Sequence, residues 1–174
     1  MSAGIYIHIP FCNRKCFYCD FYSSANLSLK KEFLTALLNE ITLQKNYLSG
    51  ENISTIYFGG GTPSLLSIDE VNSILVYLKN NFTINQNAEI TIELNPDDIS
   101  ISYAEGLKET GINRTSVGSQ SFSDKDLKLL NRRHNAQQAT DSVIILKKAG
   151  FTNISADLIY GLPGMKSEYW LENL

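Results

Sequence analysis

The sequence has no excess of basic charge: Lys and Arg number 15 against 18 Asp and Glu, and the formal net charge is -3. It therefore carries no electrostatic footprint for nucleic acid, and it has no block of Lys and Arg to suit an anionic membrane. No apolar run approaches the ~18 residues of a membrane span. The stretch from Gly4 to Pro10 is short and alternating, unlike the charged–apolar–small order of a secretory leader. These absences give the expectation of a cytoplasmic protein without a transmembrane segment. Cysteine is scarce too. Three cysteines, an odd number, make a poor disulfide framework in a reducing compartment. All three lie between Cys12 and Cys19, which points to a metal site instead.

What is present is ordinary globular composition, 43% hydrophobic and 19% charged over 174 residues, enough for one domain over 1–174 with a real core. Hydrophobic periodicity switches repeatedly between two and 3.6. Strands are expected at about Gly4–Ile9, Ile53–Phe58, Glu89–Asn95, Arg114–Ser121 and Asn153–Tyr160, and helices at about Leu29–Leu48, Asp69–Asn81, Ser102–Thr110, Asp124–Leu130 and Ala136–Ala149. Ser67 with Glu70, and Ser102 with Glu105, read as capping boxes. Gly111 and Gly150 each follow a helix, where a left-handed residue is cheapest as glycine. The alternation predicts an α/β fold, with a parallel sheet, right-handed crossovers and outer helices. Five βα units are too few for an eight-stranded barrel, so the expectation is a partial, TIM-like (βα) barrel. A sixth helix begins near Lys166, and the chain is expected to be the N-terminal portion of a longer protein.

The strand faces carry more. Ile5, Ile7 and Ile9 oppose Tyr6 and His8; Ile90, Ile92 and Leu94 oppose Thr91, Glu93 and Asn95. Val117 opposes Gly118 and Gln120, and Asp157 opposes Ala156 and Leu158. With the Ile-rich faces under the helices, the other faces collect polar groups inside the sheet. A polar interior costs stability unless its groups pair with one another or a ligand or water fills it. A binding cavity is the preferred reading.

Directly after the first strand comes Cys12-Asn-Arg-Lys-Cys16-Phe-Tyr-Cys19, a C-x3-C-x2-C pattern. Ligands of parallel αβ folds bind at the carboxyl ends of strands, so the position suits function. Three thiolates with aromatics between them suit an iron–sulfur cluster. A structural zinc wants a fourth ligand, and His8, within a strand, is awkwardly placed to serve. Spacing alone favours the cluster over zinc and leaves both open.

This motif, with Gly59-Gly60-Gly61-Thr62-Pro63 after the second strand, resembles the radical S-adenosylmethionine (SAM) superfamily. The context Ile5-Tyr6-Ile7-His8-Ile9-Pro10-Phe11-Cys12 and Tyr18-Cys19-Asp20-Phe21 is similar to the oxygen-independent coproporphyrinogen III oxidase group, nearest its haem-chaperone branch. The resemblance runs from Ile5 to about Gly164. It implies a 4Fe–4S cluster on Cys12, Cys16 and Cys19, with one iron left for the amino and carboxylate groups of SAM. One electron from the cluster would then cleave SAM to methionine and a 5′-deoxyadenosyl radical.

By the same resemblance Tyr6 lies against SAM, and Tyr18 touches the adenine. Gly60, Gly61 and Thr62 form the glycine-rich segment near the methionyl amino group. Glu93, Gln120, Arg132 and Asp157 complete the cofactor pocket. Arg132 stands apart, beyond the fourth helix rather than on a strand face. A basic run such as Arg132-Arg133-His134 is often only exposed, which is the alternative to a pocket role for Arg132, and His8 reads as a satisfied interior histidine. The oxidase pattern has a fourth cysteine where this chain has Phe21, and a long segment ahead of the first strand where this chain has Met1 to Ala3. Both departures favour a haem carrier over an oxidoreductase acting on a porphyrinogen. The implied partners are haem as cargo of the full-length protein, an electron donor and a haem-accepting protein.

Overall fold

The computed structural model describes residues 2–174. Five strands, β1 (Ser2–Ile9), β2 (Asn52–Gly60), β3 (Ile84–Leu94), β4 (Arg114–Gln120) and β5 (Asn153–Leu158), form one all-parallel sheet in the order in which they occur. The helices are α1 (Lys30–Leu43), α2 (Ile68–Asn81), α3 (Ile101–Thr110), α4 (Asp124–Leu129), α5 (Ala136–Lys148) and α6 (Ser167–Leu171). The strand order never reverses, so right-handed crossovers bring successive helices to the same face, as in a barrel rather than a doubly wound sheet. The expected α/β, partial-barrel architecture is observed. None of the described helices is long and apolar enough to cross a membrane.

The core lies between that face and the helices. Ile7, Ile9, Ile56, Phe58, Ile92 and Val117 meet Val71, Ile74, Leu75 and Leu78 of α2, Ala104 and Leu107 of α3, and Leu146 of α5. The helical residues fall on one stripe of each helix, spaced three and four apart, which is why they can all reach the sheet.

Three expectations need correction. The third strand begins at Ile84, not Glu89, because Ile84 already pairs with Ile53 of β2. The first helix ends at Leu43, not Leu48. Its last buried side chain is Ile41 and Leu43 is exposed, so the stripe no longer holds it to the sheet. The chain unwinds in turns through Ser49 and Gly50, both at positive φ. Ser102 and Glu105 form no capping box, because α3 starts earlier: Ser100 is its N-cap and accepts from the Tyr103 N–H. The Ser67–Glu70 box is present, and Gly111 and Gly150 take positive φ after their helices.

On the face away from the helices the register lines up polar residues in rows. Tyr6, Tyr57, Thr91, Arg114 and Asn153 cross all five strands. Next toward the carboxyl ends come Glu93, Ser116 and Ser155. Much of this face pairs internally. Arg114 donates to Thr91 Oγ1 at 3.4 Å and to Ser155 Oγ at 3.2 Å, and Ser116 Oγ donates to Asp157 Oδ1 at 3.2 Å. The cavity opens beyond these rows, at the strand ends.

Candidate cluster and cofactor site

The cysteine loop closes on itself. Cys12 N donates to Ser24 O at 3.0 Å and Ser24 N to Pro10 O at 2.8 Å, so its two ends lie side by side in the manner of an Ω-loop. Phe11 anchors it, buried edge-on against Phe33 of α1 at 5.4 Å. The tip rests on the α4–α5 connection: Phe17 N donates to Leu130 O at 3.2 Å, and Asn131 Nδ2 to Lys15 O at 2.9 Å. Cys12 is buried, while Cys16 and Cys19 are partly exposed. Among the described residues no three Cys, His, Asp or Glu side chains converge as on a single metal ion.

The glycine segment at the end of β2 is placed against this loop by close backbone contact. Gly61 N donates to Ile9 O at 2.8 Å. A Cβ at Gly61 would lie 2.6 Å from Phe11 O, so any side chain there would push the loop away. Gly60 has φ 108, which disfavours any other residue. Thr62, buried, donates from Oγ1 to Cys12 Sγ at 3.4 Å.

A cavity of about 150 Å³ lies between the loop, the glycine segment and the ends of β3, β4 and β5. It brings together Cys12, Cys16, Cys19, Tyr18, Gly60, Gly61, Thr62, Glu93, Gln120, Arg132 and Asp157. Tyr6 is the candidate it leaves out. That ring is 58% exposed, stacks on Tyr57 at 6.0 Å, and lines a separate groove along the edge strand β1.

Glu93 accepts from Tyr57 OH at 2.8 Å; burial raises its pKa above the usual carboxylate range, against the lowering effect of hydrogen bonds from Tyr57 and the Gly60 backbone. Burial likewise raises Tyr18, keeping its phenol protonated. Gln120 sits at φ 66, a left-handed conformation that costs a non-glycine residue energy, at the edge of the cavity.

Arg132 is no exposed surface charge. Its Nη2 donates at 2.6 Å to both Asn95 Oδ1 and Gly118 O, and its Nη1 to Cys16 Sγ at 3.4 Å. Arg133 is ion-paired to Asp97 and Asp98, and His134 is buried, so the basic run is folded inward as a whole. His8 is satisfied: Nε2 donates to Tyr22 O at 2.9 Å, leaving Nδ1 to accept from Tyr6 OH at 3.1 Å.

Asn95, Arg14 and Lys15 also line the cavity. Asn95 shares the face of Glu93 by the period of two, and that signal was sufficient to find it. Arg14 and Lys15 sit between cysteines with nothing in their type to mark them.

The radical SAM superfamily model matches residues 6–174. The haem chaperone HemW of Buchnera aphidicola (subsp. Acyrthosiphon pisum) is 40% identical over 173 residues, which cover 98% of this chain and 46% of that protein. HemW of Escherichia coli is 38% identical over 176 residues, with the same two coverages. The oxygen-independent coproporphyrinogen III oxidase of Escherichia coli is 33% identical over 167 residues, covering 95% of this chain and 36% of that one. A solved structure of coproporphyrinogen III oxidase from Escherichia coli, described as a radical SAM enzyme, superposes with a TM-score of 0.90 at 32% identity, over 99% of this chain and 40% of that chain. The chain thus spans less than half the length of these relatives. With the cysteine loop and the glycine segment walling one cavity at the strand ends, and the match running from residue 6 to residue 174, the chain belongs to the radical SAM superfamily.

Proposed function

We propose that residues 1–174 are the cluster- and cofactor-binding portion of a cytoplasmic haem chaperone, with Cys12, Cys16 and Cys19 holding a 4Fe–4S cluster and the adjoining cavity holding SAM. The observation that carries this reading is the convergence of all three thiols and the glycine segment on one cavity. The donor set fits. Three thiolates serve three irons and leave the fourth open, and an open position separates a reactive metal site from a structural one. The cavity also suits an anionic, hydrogen-bonding guest: Arg132 lines it and forms no salt bridge to a carboxylate among the described residues.

When bound and reduced, such a cluster supplies the electron that cleaves the sulfonium carbon–sulfur bond. The chain's own residues do the rest. Bare backbone at Gly60 and Gly61 admits the cofactor's amino-acid end closely. Glu93, raised in pKa yet anchored by Tyr57, offers a carboxylate to its amino group. Tyr18 provides an aromatic surface, and Gln120 and Asp157 provide polar contacts from the ends of β4 and β5. Tyr6, stacked on Tyr57 at the edge of the same polar face, is placed to meet the cofactor from the β1 side. Haem as cargo, an electron donor and a haem-accepting protein complete the proposal, supported by the HemW relatives.

The oxidase reading has its own support in the 0.90 superposition. Phe21, where the oxidase pattern has a fourth cysteine, weighs against it. Anaerobic reconstitution of the full-length protein, with EPR of the reduced state before and after SAM, tests the site. A SAM-dependent change is expected, and an unaltered signal from a cluster-loaded sample would refute cofactor binding. Cys16→Ala is expected to abolish cluster assembly and leave the far-UV spectrum intact; unchanged iron and sulfide content would refute the ligand assignment. Stoichiometric haem uptake without conversion of coproporphyrinogen III marks the carrier, and protoporphyrinogen formation marks the oxidase.

A further inference from the structure

Two adjacent arginines, of which Arg132 lines the cavity, are held in opposite ways. Arg133 is neutralised, with Nη2 2.6 Å from Asp97 and 2.7 Å from Asp98. Arg132 has only neutral oxygens and a cysteine sulfur as partners: Asn95 Oδ1, Gly118 O and Cys16 Sγ. Among the described residues no carboxylate pairs with it; Cys16, a cluster ligand in the proposed site, is its one ionisable partner, so the half-buried fork is held by neutral oxygens on one nitrogen and by that sulfur on the other. What fixes its direction is Asn95.

The two hydrogens of Arg132 Nη2 are both used, one by Asn95 Oδ1 and one by Gly118 O, each at 2.6 Å. Because a guanidinium is planar, saturating one nitrogen from two sides sets the orientation of the whole fork. Asn95 is itself fixed. Its backbone N–H donates to Ser64 Oγ at 3.1 Å, and Ser64 Oγ donates to Asp98 Oδ2 at 2.7 Å. Ser64 lies two residues past Thr62, so the glycine segment, the end of β3 and the arginine are tied through this one asparagine.

We propose that Asn95 is a positioning residue, which aims the guanidinium of Arg132 at an anionic group of the bound cofactor, the carboxylate of SAM. The inference rests on the reading of the cavity as a SAM site and deepens it. Anaerobically reconstituted full-length protein is titrated calorimetrically with SAM as wild type, Asn95→Ala, Asn95→Asp, Arg132→Met and the Asn95→Ala/Arg132→Met double variant. Asn95→Ala is expected to weaken SAM binding about tenfold, with iron and sulfide content and the unfolding midpoint near wild type. In the Arg132→Met background the same change is expected to add nothing, since residues acting through one group are non-additive. Asn95→Asp keeps an acceptor oxygen in place but neutralises the guanidinium as Asp97 and Asp98 neutralise Arg133, so it is expected to weaken SAM binding as well, and wild-type affinity in it would count against the inference. Wild-type affinity in Asn95→Ala, or an equal loss in both backgrounds, overturns the inference. A cluster-loaded wild type that takes up no SAM overturns the reading beneath it as well.

Discussion

His134 shows how far a single residue can depart from what its type announces. It is 3% exposed, and its Nε2 lies 3.0 Å from Ser119 O. A carbonyl can only accept, so Nε2 carries the hydrogen and Nδ1 is left as a buried lone pair without a partner among the described residues. Protonating Nδ1 would place a second charge in a dry site beside Arg132. Burial first, and then that arginine, lower the pKa to about 4 from the ordinary 6.5. A depressed folded pKa means that the fold favours neutral imidazole. The associated stability is complete above about pH 6.5 and is lost as pH falls through about 4. Between those limits the unfolding free energy is expected to drop by up to about 3 kcal/mol, and His134→Gln should remove that part of the slope. Denaturant titrations of the cluster-free protein at a series of pH values would check this; identical slopes in the two proteins would refute it.

At the scale of elements, the helix starts show when local chemistry suffices. Ser67 Oγ accepts from Glu70 N at 3.2 Å, and Glu70 Oε2 accepts from Ser67 N at 2.7 Å. All its partners lie within four residues, so the pattern was legible. Ser67→Ala should lower stability by about 1 kcal/mol. For α3 two serines competed, and a distant contact chose between them. Starting at Ser100 makes Tyr103 the third helical residue, with its hydroxyl donating to Leu66 O at 3.0 Å, and turns Ala104 and Leu107 into the core. Ser100→Ala should therefore cost about 1 kcal/mol and Ser102→Ala less than about 0.5. Urea unfolding of the pair would decide it, and the reverse order would refute the assigned cap.

For the whole molecule, the sheet divides labour between its faces. One face packs under the helices and supplies stability; the other, at the strand ends, holds the candidate site. Leu75, fully buried in α2, belongs to the first. Leu75→Ala should lower the unfolding free energy by about 2–5 kcal/mol. SAM affinity of the cluster-loaded protein should stay within a factor of two or so, since distant independent sites are nearly additive. A parallel loss of affinity in protein shown to be folded would contradict this division.

The strand–helix alternation, the apolar stripes, the Ser67 box and the C-x3-C-x2-C loop at a strand end were determined by the sequence alone, because each depends on residues near in the chain or on a fixed period. Tertiary structure decided what depends on residues far apart. It folded Arg132 onto Cys16, 116 residues away, where chain order placed it beyond a helix. It stacked Tyr6 on Tyr57, ended the first helix where its stripe lost the sheet, and folded inward a basic run that composition alone would leave in solvent. The physical reason is the same in each case. Periodicity specifies which face of an element is apolar, but the partner that satisfies a polar or charged group is set by the packing of distant segments, which no local pattern encodes.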